Sequence, residues 1–153
     1  MSISSFGQDY MIISPDKWNF MIEDNTFDGT YKSAFIIGES NSPYVHSPVL
    51  SVNRTNYEPH QVFLSYFPAG ICGENIIWIK FNKDSKKYEL TALYSFIDRR
   101  YVLIFNNSLT VGNFIRKLKL GEYFEIRLIN ECIKLDVRFI LEGANEALKC
   151  LDQ

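Results

Sequence analysis

The sequence predicts a mainly β (α+β) domain: an antiparallel β-sandwich or partly open barrel of about eight to nine strands, one helix near 109–119 and a short C-terminal helix near 144–151. Three observations predict it. Apolar residues alternate with polar ones along most of the chain, the period of a half-buried strand. Turn-forming residues punctuate these runs at short intervals. Helical periodicity is confined to the last third.

In chain order, Trp18, Phe20 and Ile22 share one face of a strand, with Asn19 and Glu23 opposite. Residues 32–37 form a second apolar run, and 49–52 follow Pro48. The run 61–67 sets Val62, Leu64 and Tyr66 on one side. Ile77, Ile79 and Phe81 alternate with Trp78 and Lys80, and 88–94 and 101–105 continue the series. The segments 24–29, 38–43, 53–59, 68–75 and 82–85 carry the Gly, Pro, Asn, Asp and Ser that turns require.

In 109–118, Val111, Ile115 and Leu118 fall on one helical face; the segment 106–108 offers a start and Gly121 a stop. Ala144, Ala147, Leu148 and Leu151 do the same for the second helix. It is too short to be stable alone and must dock on the sheet.

Between the helices lies a hairpin. Phe124, Ile126 and Leu128 alternate with Glu125 and Arg127; Ile133, Leu135, Val137 and Phe139 alternate with Lys134, Asp136 and Arg138. Parity permits two nearby registers. One sets Arg127 opposite Lys134 and Glu125 opposite Asp136, which joins like charges. The other sets Arg127 opposite Asp136 and Glu125 opposite Arg138. Opposite charges stabilise a cross-strand pair and like charges oppose it, so the second register is predicted. The tip at Glu131 and Cys132 lacks Asn-Gly chemistry, which leaves room for a wider loop.

The 153 residues suit a single domain, and no linker, repeat or low-complexity tract divides them. A hydrophobic share of 46% is ample for a core. The formal net charge of −2 lacks the basic excess of a nucleic-acid binder, so no nucleic acid is expected. No segment has the apolar length of a membrane helix. No secretory leader is visible, so the expected location is cytoplasmic as written, or periplasmic if a leader has been removed.

Three cysteines, Cys72, Cys132 and Cys150, are too few for a disulfide framework, and the count is odd. Cys132 precedes a strand of roughly 25–30 Å, and the helix carrying Cys150 returns only about 10 Å of it. Those two are therefore too far apart to bond, and all three read as free thiols in or near the core.

No phosphate loop, nucleophile elbow, zinc-protease helix, paired-cysteine motif or calcium loop is present. His46 and His60 have no second ligand at helical or strand spacing and read as loop histidines. Cys72, in the loop 69–73, has no base beside it in sequence to activate its thiol. The acidic turn of Glu23, Asp24 and Asp28 lacks the spaced ligands of a calcium site. Arg116, Lys117 and Lys119 read as a solvated helix face. No catalytic residue, metal ligand or cofactor is predicted.

One resemblance stands beside this reading. The stretch 114–121, the strand 122–129, and then Val137, Phe139, Leu141, Gly143, Ala147 and Leu148 run helix, Gly, strand, strand, Gly and a short helix with an Ala-Leu pair. This ending, with Trp18 ahead of the 24–29 turn and the strand after Pro48, resembles the invasion-associated locus B family and small type VI secretion-associated periplasmic proteins. The resemblance implies a β-sandwich-like fold with a C-terminal helix and transfers no catalytic residue. The chain departs from that pattern in its missing leader and in the paired cysteines of those exported relatives.

The expected function is a non-enzymatic protein-interaction module, such as a bacterial secretion-system accessory or immunity-type protein. It would dock a partner protein, or a second copy of itself, through loops or a sheet edge. Tyrosine-bearing loops and nearby charge nominate Tyr44, Tyr57, His60, Arg99 and Arg100 as partner-binding residues. The alternative is a small-molecule or carbohydrate-binding sandwich that uses Trp78, Tyr94 or Tyr101 as a stacking platform. A third reading, an enzyme centred on Cys72 and His60, requires those two side chains to meet.

Overall fold

The computed structural model describes residues 2–3, 8–10, 17–25, 29–55, 60–70 and 72–152. The strands are β1 (Ser2–Ile3), β2 (Gln8–Tyr10), β3 (Asn19–Asn25), β4 (Gly29–Ile37), β5 (Glu39–Ser40) and β6 (Val49–Thr55). They continue with β7 (Gln61–Ser65), β8 (Asn75–Phe81), β9 (Lys87–Ser95), β10 (Arg100–Ile104), β11 (Tyr123–Ile129) and β12 (Lys134–Ile140). Helix α1 is Val111–Leu120, and α2 is Ala144–Lys149 with a 3₁₀ turn, Cys150–Asp152, behind it. The fold class is the mainly β, antiparallel one expected. The strand count exceeds the expectation because β1, β2 and β5 are only two or three residues long.

The sheet order is β1-β2-β3-β4-β6-β7-β10-β9-β8-β11-β12-β5. Only Gly38 separates β4 from β5, yet β5 pairs with β12 at the far end of that order. The sheet therefore curls into a barrel wall. On one edge of the β4–β5 run, β6 pairs with residues 31–37 and Gly38 continues the ladder to Pro48 O at 2.7 Å. On the other edge β3 pairs first, and β12 takes over after Gly38. A Cβ on Gly38 would lie 2.7 Å from the side chains of both Phe139 and Val137, so the close approach of β12 requires glycine there. Trp18 sits where β3 gives way to β12. Its indole N–H donates to Ile140 O at 3.0 Å, and its main-chain N–H to Glu142 O at 3.3 Å.

Alternation places one side chain in two inside the barrel. Ala34, Ile36, Leu50, Leu64, Ile77, Ile79, Leu90, Tyr101, Ile126 and Val137 are buried there. The predicted hairpin register is the observed one: Arg127 faces Asp136 and Glu125 faces Arg138. Its tip is wider than a two-residue turn. Asn130 shapes it, its side-chain oxygen accepting from the N–H groups of Cys132 (2.9 Å) and Ile133 (3.0 Å).

Both helices close the end where β10 finishes and β11 begins. Helix α1 buries Phe114, Ile115 and Leu118. Phe114 packs among Phe81, Phe105 and Phe124, with ring centroids 5.3–6.0 Å apart. The helix starts at 111 rather than 109. Asn106 spends its side chain on the N–H groups of Ser108 and Leu109, so Thr110 becomes the cap, accepting from Asn113 N at 3.2 Å. Outside the barrel mouth, Asp84 ties α1 to the β8–β9 turn. It accepts from Tyr88 Oη at 2.7 Å and from Lys117 Nζ at 2.9 Å. Helix α2 buries Ala144, Ala147 and Leu148 against α1 and β4, as its stripe predicted. Among the described residues no helix is long and apolar enough to cross a membrane.

Candidate functional site

Among the described residues, the end opposite the helices is built from four connections, which include residues 41–48, 66–70 with 72–74, 96–99 and 130–133. Two are joined covalently. Cys72 and Cys132 form a disulfide, with Cα atoms 5.7 Å apart. This corrects the reading of all three cysteines as free; among the described residues only Cys150 remains a thiol. The reason lies in strand order. β8 and β11 are neighbours with Ile76 opposite Ile129, so the loop entering β8 meets the loop leaving β11. Glu131 N donates to Cys72 O at 3.1 Å, and the Asn130 amide to Asn75 Oδ1 at 3.1 Å, which hold the loops together beside the bridge.

Large apolar side chains stand out from this rim. Tyr44 is 90% exposed, Tyr66 72% and Ile97 94%, with Phe96 beside it also exposed. A cavity of about 830 Å³ opens among Ser42, Tyr44, His46, Tyr66, Pro68 and Ile133. An adjoining one of about 480 Å³ shares His46 and Tyr66 and continues over Phe35, Ile37 and Val49. Among the described residues, three non-glycine residues have left-handed backbone, and all three are here: Ser47 (φ 51°), Tyr66 (φ 63°) and Arg99 (φ 56°). For an aromatic residue this is a sparsely populated conformation, and such backbone cost gathers at functional surfaces.

Tyr66 was expected on the inner face with Val62 and Leu64. Its positive φ ends β7 at Ser65 and turns the ring outward, while Phe67 takes the buried place. No residue-type signal foretells this, since tyrosine is not a residue that favours left-handed backbone. Phe96 and Ile97 fall between the runs 88–94 and 101–105, in a stretch to which the sequence assigned no role.

The nominated residues separate. Tyr44 and Arg99 are exposed on the rim. The Arg100 guanidinium instead lies 3.6 Å from the centre of the Phe63 ring and bonds Tyr31. Burial raises the Tyr31 phenol, with that bond opposing the shift. His60 is at the helix end, its Nε2 3.2 Å from an Asp152 oxygen that also pairs with Arg54. Tyr57 lies outside the described residues. Strand β7 lies between His60 and Cys72, and Cys72 is bonded to Cys132, so the pairing that the enzyme reading requires does not form. Asp24 accepts from Thr30 Oγ1 at 2.8 Å, and Asp28 is outside the described residues.

Of the three proposed stacking platforms, Tyr101 is fully buried. It donates to Pro68 O at 2.6 Å, and burial pushes its phenol up to about 12. Tyr94 packs edge-on to Tyr101 and Phe96. Trp78 alone remains on the outer face, above Arg127 and Asp136.

The fold is similar to that of invasion associated protein B from Bartonella henselae. The crystal structure of that protein superposes with a TM-score of 0.64 at 13% identity, covering 93% of this chain and 96% of that one. At this identity the likeness establishes the fold alone, and at that level it agrees with the resemblance read from the C-terminal third. No protein-family model matches the sequence, and no curated protein matches it.

Proposed function

We propose that this chain is a protein-interaction module that docks a partner protein through the stapled loop rim. The observation that carries the reading is the exposure of Tyr44, Tyr66, Phe96 and Ile97 on one end of a rigid barrel. Large rings held by a fixed scaffold supply contact area at little ordering cost, and aromatic residues are the usual anchors of interfaces. A bacterial secretion-system accessory or immunity-type role suits such a surface. The Cys72–Cys132 bridge favours an oxidising compartment, such as the periplasm, over the cytoplasm.

The test is affinity capture with cross-linking on wild-type protein and on three variants, Tyr44→Ala, Tyr66→Gly and Ile97→Ser. Sedimentation of the purified chain tests a second copy as the partner. A cross-linked partner, or a dimer, lost in all three rim variants supports the reading. Retention of the same partner by all three, or a wild-type monomer with no cross-linked species, overturns it.

A further inference from the structure

The outer face of β9, β8, β11 and β12 carries a second concave surface, which shares no lining residue with the rim cavities. The ladders fix its layout. Trp78 lies between Glu89 and Arg127, Arg127 lies opposite Asp136, and Lys80 lies between Lys87 and Glu125. Of these, all but Glu89 line a groove of about 300 Å³, with Ile129 at one end. That volume is at the lower end of small-ligand sites.

Two of the cations along this groove make no close ion pair among the described residues. Arg127 holds Asp136 through two bonds, and Glu125 is 3.6 Å from Arg138. Lys80 and Lys87, directly opposite one another on β8 and β9, pair with no carboxylate among the described residues. Among the described residues, Lys80 Nζ donates only to a main-chain oxygen, Asp84 O, at 2.7 Å. The Lys87 ammonium lies 5.8 Å from the Trp78 ring centre. Like charges set directly opposite across two strands are destabilising. A ligand anion seated between them would relieve that repulsion.

The rest of the groove specifies what the anion is attached to. Trp78 offers one flat apolar face. The Arg127–Asp136 pair offers a fixed array beside it. Its carboxylate oxygens retain lone pairs for hydroxyl donors, and the guanidinium nitrogen outside the pair donates to hydroxyl oxygens. A ring that stacks, carries hydroxyl groups and bears a carboxylate satisfies all three features. We propose that the Trp78 groove binds an acidic saccharide unit: its ring face on Trp78, its hydroxyls at Arg127 and Asp136, its carboxylate between Lys80 and Lys87. This site is independent of the rim, so neither proposal stands or falls with the other.

Calorimetric titration of the whole chain tests it, with galacturonate disaccharide as probe, the matching neutral galactose disaccharide as control, and acetate as the bare anion. The expected result is binding of the acidic disaccharide at millimolar or lower concentration, weakened by added salt. Neutral disaccharide and acetate should each bind about tenfold more weakly. The double variant Lys80→Gln/Lys87→Gln should lower the affinity for the acidic probe to that for the neutral one. Trp78→Ala should lose both sugars, while Tyr66→Gly changes neither. Far-ultraviolet circular dichroism confirms that each variant is folded. Equal affinity for acidic and neutral sugars, acetate binding as well as the disaccharide, or no heat with the acidic probe at millimolar concentration overturns the proposal.

Discussion

Arg127 grips Asp136 through two parallel bonds, Nε to Oδ1 at 2.6 Å and a terminal nitrogen to Oδ2 at 2.8 Å. The fork geometry of the guanidinium matches the carboxylate, and the Arg127 bonds hold the Asp136 carboxyl below its ordinary range. The side chains are partly exposed, so the pair selects the register more than it adds stability. Single variants Arg127→Gln and Asp136→Asn should each lower the melting temperature slightly, and the double variant should cost less than their sum. Strict additivity in that cycle would refute the coupling.

The Cys72–Cys132 bridge closes a loop with a sequence separation of 60. The chain-entropy model assigns such a loop about 4 kcal/mol of stabilisation. Reduction, or Cys72→Ser with Cys132→Ser, should therefore lower the melting temperature by about 10 °C. Alkylation of unreduced, denatured protein should label Cys150 alone. Mass spectrometry showing three labelled thiols would remove the bridge.

Asp84 should contribute to the acid limb of stability. The Tyr88 hydroxyl first, then Lys117 and the Lys86 N–H, hold its carboxyl well below the usual carboxylate range. A lowered folded value means that the contribution is complete above the unfolded value of about 4 and is lost as pH falls below it. The same contacts raise Lys117, whose part is complete below about 10.4 and is lost as pH rises past that value. Asp84→Asn should cost about 1 kcal/mol at neutral pH and flatten the fall in melting temperature below pH about 4. An unchanged acid limb would assign it to other carboxylates.

At Tyr66 the two small replacements should part company. Both remove the ring, but alanine keeps the left-handed strain that glycine lacks. Tyr66→Gly should be more stable than Tyr66→Ala by about 1 kcal/mol in urea unfolding. Equal midpoints would mean that the backbone relaxes when the ring is gone.

Gly38→Ala places a methyl group 2.7 Å from the Phe139 and Val137 side chains, at the point where β12 replaces β3. A loss of about 1–3 kcal/mol is expected from overpacking. A variant as stable as wild type would show that the β5–β12 seam can part without consequence.

Much of the fold was legible because its causes are local. Alternation along Phe124, Ile126 and Leu128 and along Leu135, Val137 and Phe139 made a hairpin with one dry face, and charge at Glu125, Arg127, Asp136 and Arg138 chose its register. The stripe of Ala144, Ala147 and Leu148 marked a docked helix. The candidate site was much less legible. Tyr44 and Arg99 were found as loop residues, but Tyr66, Phe96 and Ile97 acquired their roles only when separate turns met at one end.

The sequence by itself determined which side of the β11–β12 hairpin and of both helices is buried, because that depends on residues two, three or four positions apart. Only the tertiary structure decided that β8 lies beside β11, that Cys72 therefore reaches Cys132, and that Gly38 lets one strand serve two neighbours. Those outcomes depend on which distant strands pair, and pairing is settled by the packing of the whole barrel at once. The same packing faces Trp78 with a cross-strand pair of lysines, a juxtaposition that no local pattern encodes.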